Sequence, residues 1–345
     1  MERRITLNQS LNVRGRPRVF SGIQPTGSPH LGNYLGALRN WVALQEDHDA
    51  FYCIVDLHAM TMPWRPDELR VRTLETAASL VSVGIDPETS VLFLQSHVAE
   101  HVELSWVLTC VARMGELRRM IQFKERSKGE TESVGVGLFA YPVLQAADVL
   151  LYRAHRVPVG EDQRQHVELM RDLAERFNAQ FGETLVVPEA YIPGAGARVM
   201  ALDDPTQKMS KSAGRPAASI LLSDEPSQIV KKLKAAKTDS GSEVRAGDDK
   251  PELTNLLSIF TLVTGEPLEA LEDRFRGRGY GDFKAELGDA VAALLTPMRE
   301  RYEAAMADPG ELERLLAAGA KRAAEVAAKT MADVRDAVGL RPLPA

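Results

Sequence analysis

Cysteine is scarce in this sequence: Cys53 and Cys110 are the only two among 345 residues. Two thiols make no disulfide framework and are too few for a zinc or iron–sulfur site, so a reducing compartment suits them and both are expected to be ordinary buried side chains. No run of about 18 apolar residues occurs, which removes a transmembrane helix. Surplus positive charge is missing too: Lys and Arg number 42 against 48 Asp and Glu, a formal net charge of −6. Indiscriminate coating of nucleic acid depends on cations that displace counterions, so that function class and a DNA partner are excluded. A local basic face is still sufficient to hold an RNA. Repeats and low-complexity segments are absent, and a cytoplasmic chain without a membrane partner is expected.

What is present is enough apolar material for a sizeable core, 44% hydrophobic with 26% charged, over a length that accommodates two domains. The head carries Arg3, Arg4, Arg14, Arg16 and Arg18 against one acid, Glu2. It lacks the apolar centre of a signal peptide and is short for a transit peptide, so residues 1–17 are expected to be a flexible extension. Arg18-Val-Phe-Ser-Gly-Ile-Gln24 then reads as a strand, Pro25-Thr-Gly27 as punctuation and Leu31-Gly-Asn-Tyr-Leu-Gly-Ala-Leu38 as the start of a helix. Phe51-Tyr-Cys-Ile-Val55 and Ser90-Val-Leu-Phe-Leu-Gln95 are continuous apolar runs of strand length, with a helical stretch from Asp67 to Val83 between them. This alternation predicts an α/β fold, a Rossmann-like parallel sheet with helices on both faces, over residues 18–224, with ligands beyond the carboxyl ends of the strands.

From about Glu225 the strand-like runs stop. Val291, Leu294, Leu295 and Met298 mark one helical stripe, and Leu312, Leu315 and Leu316 begin another after Asp308-Pro-Gly310. Residues 225–345 are therefore expected to form a C-terminal all-helical domain. Arg276-Gly-Arg-Gly-Tyr-Gly281 reads as a loop between its helices.

Two segments carry nucleotide chemistry. Pro25-Thr-Gly-Ser-Pro-His-Leu-Gly-Asn33 lies between a strand and a helix, where unpaired N–H groups and the helix dipole favour a phosphate and Gly32 lets it approach the backbone. His30 and Asn33 supply donors on either side. Taken singly, the segment reads equally as a Pro/Gly turn that caps a helix. Lys208-Met-Ser-Lys-Ser212, after Asp203-Asp-Pro-Thr-Gln207, places two lysines on one loop, a cationic arm able to close over a polyphosphate. Together the pair resembles the two hallmark motifs of class I aminoacyl-tRNA synthetases, with Asn33 in the last place of the first.

Within that class the sequence resembles the bacterial tryptophanyl-tRNA synthetases. The stretches that carry the resemblance are Phe20-Ser-Gly-Ile-Gln-Pro25, Asp56-Leu-His58, Gly115-Glu-Leu-Arg-Arg-Met120, Ala146-Ala-Asp-Val-Leu-Leu-Tyr152 and Val157-Pro-Val-Gly-Glu-Asp-Gln-Arg-Gln-His166. It runs from about Arg18 to Leu340. Asp148 supports it on physical grounds, since it interrupts the apolar helical run Tyr141-Pro-Val-Leu-Gln-Ala-Ala-Asp-Val-Leu-Leu151, and a buried carboxylate is costly unless satisfied. The indole N–H is only a donor, so an acceptor at the end of an apolar slot suits tryptophan. A bond from Asp148 to nearby backbone or to Gln163 is the structural alternative.

The resemblance implies an amino-acid pocket of Phe20, Gly22, Gln24, His58, Gln145, Asp148, Val157, Val159 and Gln163. It implies ATP contacts from Gln24, Pro25, Thr26, Gly32, Asn33, Gly160, Glu161, Asp162, Val199, Lys208, Met209, Ser210, Lys211 and Ser212, with Mg²⁺ carried by the phosphates. The catalytic set it implies is Lys208, Lys211, Arg126, Lys124, Gln24, His30 and Asn33. Two positions depart from the family pattern: Gln145 where a methionine is usual, and Gln122-Phe-Lys-Glu-Arg126 where the last residue is commonly lysine. An arginine fork does not replace a lysine point charge exactly in kind, so Lys124 stands beside Arg126 as a phosphate contact. The implied activity is tryptophan–tRNA ligation with tRNA, tryptophan and ATP as partners, in a homodimer. The apolar stretch Ser105 to Val111 is a candidate for its interface, and Lys231, Lys232, Lys234, Lys237, Lys321, Arg322, Lys329 and Arg335 are candidate tRNA contacts. Tyrosine activation and a synthetase paralogue with a binding role are the alternatives.

Overall fold

The computed structural model of the chain describes residues 15–121, 135–191, 198–210 and 215–341. Five strands form one sheet: β1 (Arg18–Ile23), β2 (Asp49–Ile54), β3 (Val91–Leu94), β4 (Arg156–Pro158) and β5 (Glu189–Tyr191). The order is β3-β2-β1-β4-β5, and every pairing is parallel, as the alternating texture predicts. The order reverses between β1 and β4, so the loops after these strands diverge to opposite faces and leave a crevice at their carboxyl ends.

The apolar runs become strands because both faces of the sheet are covered. Successive side chains on a strand point to opposite faces. Val19, Tyr52, Ile54 and Leu92 accordingly belong to one apolar cluster. Phe20, Phe51, Cys53, Val91 and Phe93 belong to a second on the other side. The first cluster takes in Leu31, Leu35 and Leu38 from the helical rod after β1, Ala77 and Leu80 from the helix Pro66–Ser82, and continues without a break into Leu253, Phe260, Phe283 and Leu295. The change of texture at Glu225 thus marks a change in secondary structure across a continuous core. The second cluster is covered by the helices Glu100–Val111, Val136–Leu150 and Arg164–Phe181.

The helix Pro309–Val338 spans both clusters, Leu312 and Leu316 in one, Ala323, Ala327 and Met331 in the other. Asp308 opens it by accepting from the amide of Glu311 at 3.0 Å, with Pro309 in the first turn where its missing N–H costs nothing. It crosses β3, the edge strand of the sheet, so closely that a Cβ on Gly319 would stand 1.8 Å from the carbonyl oxygen of Leu92. Arg322 donates to the carbonyls of Pro87 and Ser90, and Arg335 forks onto Glu103. An open edge of unpaired backbone groups is a template for aggregation, and this helix covers it. No helix among the described residues is long and apolar enough to cross a membrane.

Candidate functional site

A cavity of about 710 Å³ opens where β1 and β4 part. One wall is the end of β1, with Phe20, Ser21, Gly22 and Gln24; the opposite wall is β4 and the turn beyond it, Val157 through Gln163. His58, Tyr141, Gln145 and Asp148 form the floor from two helical elements, Asp56–Ala59 and Val136–Leu150. The whole predicted amino-acid pocket is therefore assembled in one cavity, together with Gly160, Glu161 and Asp162. Gly22 matters for its missing side chain, because a Cβ there would lie 2.9 Å from Cγ1 of Val55.

The rod that follows β1 closes the rim. It runs through Leu31–Asn33, a π-helical turn Tyr34–Leu38 and Arg39–Asp47, with the amide of Arg39 donating to the carbonyl of Tyr34. A π turn inserts one residue into the helical phase. Tyr34, Leu35 and Leu38 are buried in the core, while Gly36 and Ala37, with Asn40 and Trp41 in the next turn, line the cavity.

Asp148 is 1% exposed and accepts three hydrogen bonds. Its Oδ2 receives Nε2 of His58 at 2.7 Å, and its Oδ1 receives Nε2 of Gln95 at 2.7 Å and Nδ1 of His101 at 2.6 Å. These partners replace both structural alternatives, backbone and Gln163. Burial pushes the carboxyl pKa up, but the charge of His58 and the hydrogen bonds of His101 and His58 outweigh it and hold the group well below the usual carboxylate range. The floor is thus an anionic acceptor inside an apolar shell. Gln163 is engaged with Gln145, whose amide donates to it at 3.4 Å, and Tyr141 meets Nε2 of His166 at 2.8 Å.

The first phosphate segment folds as a helix start. His30 is the N-cap: its Nδ1 accepts from the amide of Asn33 at 3.2 Å, and Asn33 Oδ1 accepts from the amide of His30 at 3.1 Å. The capping role and the phosphate role are compatible, since an accepting Nδ1 leaves the proton of the neutral ring on Nε2. Beside it residues 199–209 fold back on themselves: Met200 and Lys208 bridge, and the amide of Met209 donates to the carbonyl of Val199. Met209 packs near Gly32, where an added Cβ would come within 3.5 Å of its own. Val199 and Met209 are buried and Lys208 is exposed. Pro25, Thr26, His30, Gly32, Asn33, Val199, Lys208, Met209 and Ser210 do not line the cavity itself. Lys124, Arg126, Lys211 and Ser212 lie outside the described residues.

Two expectations need revision. Cys53 is buried, but Cys110 is exposed, because it follows Trp106 by one helical turn on the outer side of the helix Glu100–Val111. Of the candidate RNA contacts, Arg322 and Arg335 are engaged in holding the last helix and Lys232 in bonds to Asp224 and Ser219, while Lys237 pairs with Glu252 through a side chain that stays exposed. Tyr141 also lines the cavity, and the signal for it is in the sequence, since Tyr141, Gln145 and Asp148 fall at i, i+4 and i+7 of one helix face. Gln95, His101 and Tyr152 carried no such spacing signal.

Over residues 12–296 the sequence matches the family described as tRNA synthetases class I (W and Y). It is 52% identical over 330 residues, 95% of this chain and 98% of the other, to tryptophan–tRNA ligase 2 of Streptomyces avermitilis. To the tryptophan–tRNA ligase of Corynebacterium glutamicum it is 51% identical over 337 residues, 97% and 98% of the two chains. The structure is similar to the tryptophanyl-tRNA synthetase of Campylobacter jejuni complexed with ADP and tryptophan, with a TM-score of 0.82 and 37% identity over 94% of this chain and 100% of that one. The tyrosyl-tRNA synthetase of Archaeoglobus fulgidus, with a TM-score of 0.65 at 21% identity over 86% and 93%, shares the fold alone.

Proposed function

The chain belongs to the class I tRNA synthetases of the tryptophan and tyrosine group, and we propose that it is a tryptophan–tRNA ligase working as a homodimer in the cytoplasm. The observation that carries the choice of amino acid is the anionic acceptor at the floor of an apolar cavity, Asp148. The indole N–H donates to Asp148, while Phe20, Val157 and Val159 pack on the ring and Gly22 leaves room for it. Phenylalanine would leave one acceptor position of the carboxylate desolvated and unfilled, a loss that sites of this kind turn into selectivity of about 10⁴-fold or more.

In the first step the tryptophan carboxylate attacks the α-phosphorus of ATP, the bond to the bridging oxygen breaks, and pyrophosphate leaves with its electrons. Tryptophanyl-adenylate remains. A carboxylate is already ionised at neutral pH, so the protein supplies alignment and charge compensation rather than a base. Gln24 and Gln163 orient the amino acid. The helix start at Gly32, with His30 and Asn33, receives the triphosphate together with Gly160, Glu161 and Asp162. Lys208 and Lys211 close over it, and Arg126 or Lys124 adds a further cation. Mg²⁺ keeps most of its oxygens from water and substrate phosphates, so the ion is taken to enter with the nucleotide as part of the co-substrate.

In the second step a hydroxyl of the terminal adenosine of tRNA attacks the adenylate carbonyl, and AMP leaves. Lys231, Lys234, Lys321 and Lys329, all exposed, are the contacts proposed for the RNA. The outward face of the helix Glu100–Val111 supports self-association: Trp106 is 70% exposed, Val102 is exposed one turn before it, and Met114 is exposed just after the helix ends. An exposed apolar group of this size marks an interaction surface. ATP–pyrophosphate exchange measured with each amino acid is the test. Exchange driven by tryptophan is the expected result, and exchange driven by tyrosine instead overturns the assignment.

A further inference from the structure

The floor of the cavity is held from behind. Gln95 and His101 are fully buried and do not line the cavity, yet both donate to the same oxygen of Asp148. An ionised carboxylate offers about four acceptor positions. Oδ1 has its two filled from the core side, and Oδ2 has one filled by His58, which itself faces the cavity. One position remains, on Oδ2, the oxygen that shares the cavity-lining His58 as its partner.

The two donors are in turn fixed. The amide of Leu57 donates to Oε1 of Gln95 at 3.2 Å, so the Gln95 side chain can turn only its nitrogen to Asp148. His101 presents Nδ1 to Asp148 and meets the hydroxyl of Tyr152 through Nε2 at 2.7 Å. The Tyr152 ring is stacked on Phe20 at 5.4 Å and set edge-on to Phe93 at 5.5 Å, inside the core. Three elements of the fold, the end of β3, the helix Glu100–Val111 and, through His58, the helix Asp56–Ala59, thus converge on a carboxylate carried by a fourth, the helix Val136–Leu150.

We propose that Gln95 and His101 are the positioning residues that make this cavity select a ring bearing an N–H, by saturating Oδ1 of Asp148 and leaving Oδ2 with a single acceptor position aimed at the ligand. The inference rests on tryptophan being the substrate. Their role is distinct from mere support. Without them the carboxylate is held by His58 alone, one point of attachment in place of three, and burial meets less opposition in pushing it toward its protonated form. A protonated Asp148 carries an O–H donor and only a weaker, neutral acceptor, so it would distinguish a ring with an N–H from one without less sharply.

The test is ATP–pyrophosphate exchange by the full chain, with tryptophan and with β-(3-benzothienyl)alanine, which has the same shape but sulfur in place of the ring N–H. In His101→Leu the KM for tryptophan is expected to rise by about 10-fold or more, the scale of a lost hydrogen bond to a buried charge. The KM for ATP should hold, the preference for tryptophan over the sulfur analogue should shrink, and the KM for tryptophan should climb as the pH is lowered from neutral. His101→Asn, which keeps an N–H near the Nδ1 position, should recover most of the preference. A folded His101→Leu protein with unchanged tryptophan KM, analogue preference and pH profile overturns the inference. If that variant does not fold, Gln95→Met and Tyr152→Phe make the same measurement, and an analogue preference unaltered in both overturns it equally. Should the unsubstituted protein exchange with tyrosine and not tryptophan, the substrate assignment itself has failed, which is a separate readout.

Discussion

Asp148 concentrates the chemistry of the cavity and its dependence on pH. Its folded pKa is depressed, so it contributes stability at any pH above the unfolded value of about 3.9, and that stability is lost as the pH falls through the folded value. The gap in unfolding free energy between the wild type and Asp148→Asn is therefore expected to be constant near neutrality and to narrow below about pH 4, measured by urea titration at each pH. Gln145 makes a different case. It borders the cavity beside Gln163 with a long 3.4 Å contact, so Gln145→Met should exchange a weakly satisfied amide for a volume-matched apolar group and lower the KM for tryptophan several-fold. A higher KM would mean that the amide holds Gln163 in place. Asp148 was legible in the sequence because a lone acid in an apolar run demands an explanation. Gln95 and His101 were not, because a glutamine at a strand end and a histidine in a helix have bland readings, and only the fold brings them to the same oxygen across 53 and 47 residues of chain.

At the scale of elements, the strands of residues 18–23, 49–54 and 91–94 and the helix of residues 66–82 follow from apolar runs and their periods, with no tertiary information needed. The π turn at Tyr34–Leu38 had no such signal. It is set by the demand that large residues enter the core while Gly36 and Ala37 face the cavity. The docking of the helix Pro309–Val338 was equally hidden, since its amphipathic pattern states that it has a partner and not which one. Gly319 is the tell-tale after the fact. Gly319→Ala would drive a methyl into the backbone of Leu92, and a loss of about 3 kcal/mol in unfolding free energy is expected, more than exchanging glycine for alanine returns in helix propensity. Arg153 fastens the same helix at its other end through Thr330 and Asp333, from a backbone with a φ of 51°. Arg153→Ala should speed amide hydrogen exchange in residues 330–338 while leaving residues 309–319 protected. Uniform exchange along the helix would show that this tether is dispensable.

For the whole molecule, the exposed Trp106 gives the proposed homodimer a direct check. Trp106→Glu should convert a sedimenting dimer into monomer without loss of helicity, whereas a wild type already monomeric at micromolar concentration removes the dimer from the proposal. The two-face α/β architecture was legible from alternation along the first half of the sequence, but the continuity of the core across Glu225 was not, because composition changes there and packing does not.

The bonds from Arg322 to Pro87 and Ser90 join residues 235 and 232 positions apart. A nascent chain leaves the ribosome from its amino end, so β3 exists long before the helix that shields it has been made. Throughout that interval the rim of the half-built sheet is bare, and a prematurely terminated chain never outgrows this condition. Chains stopped at residue 308 are accordingly expected in the insoluble fraction of the cell.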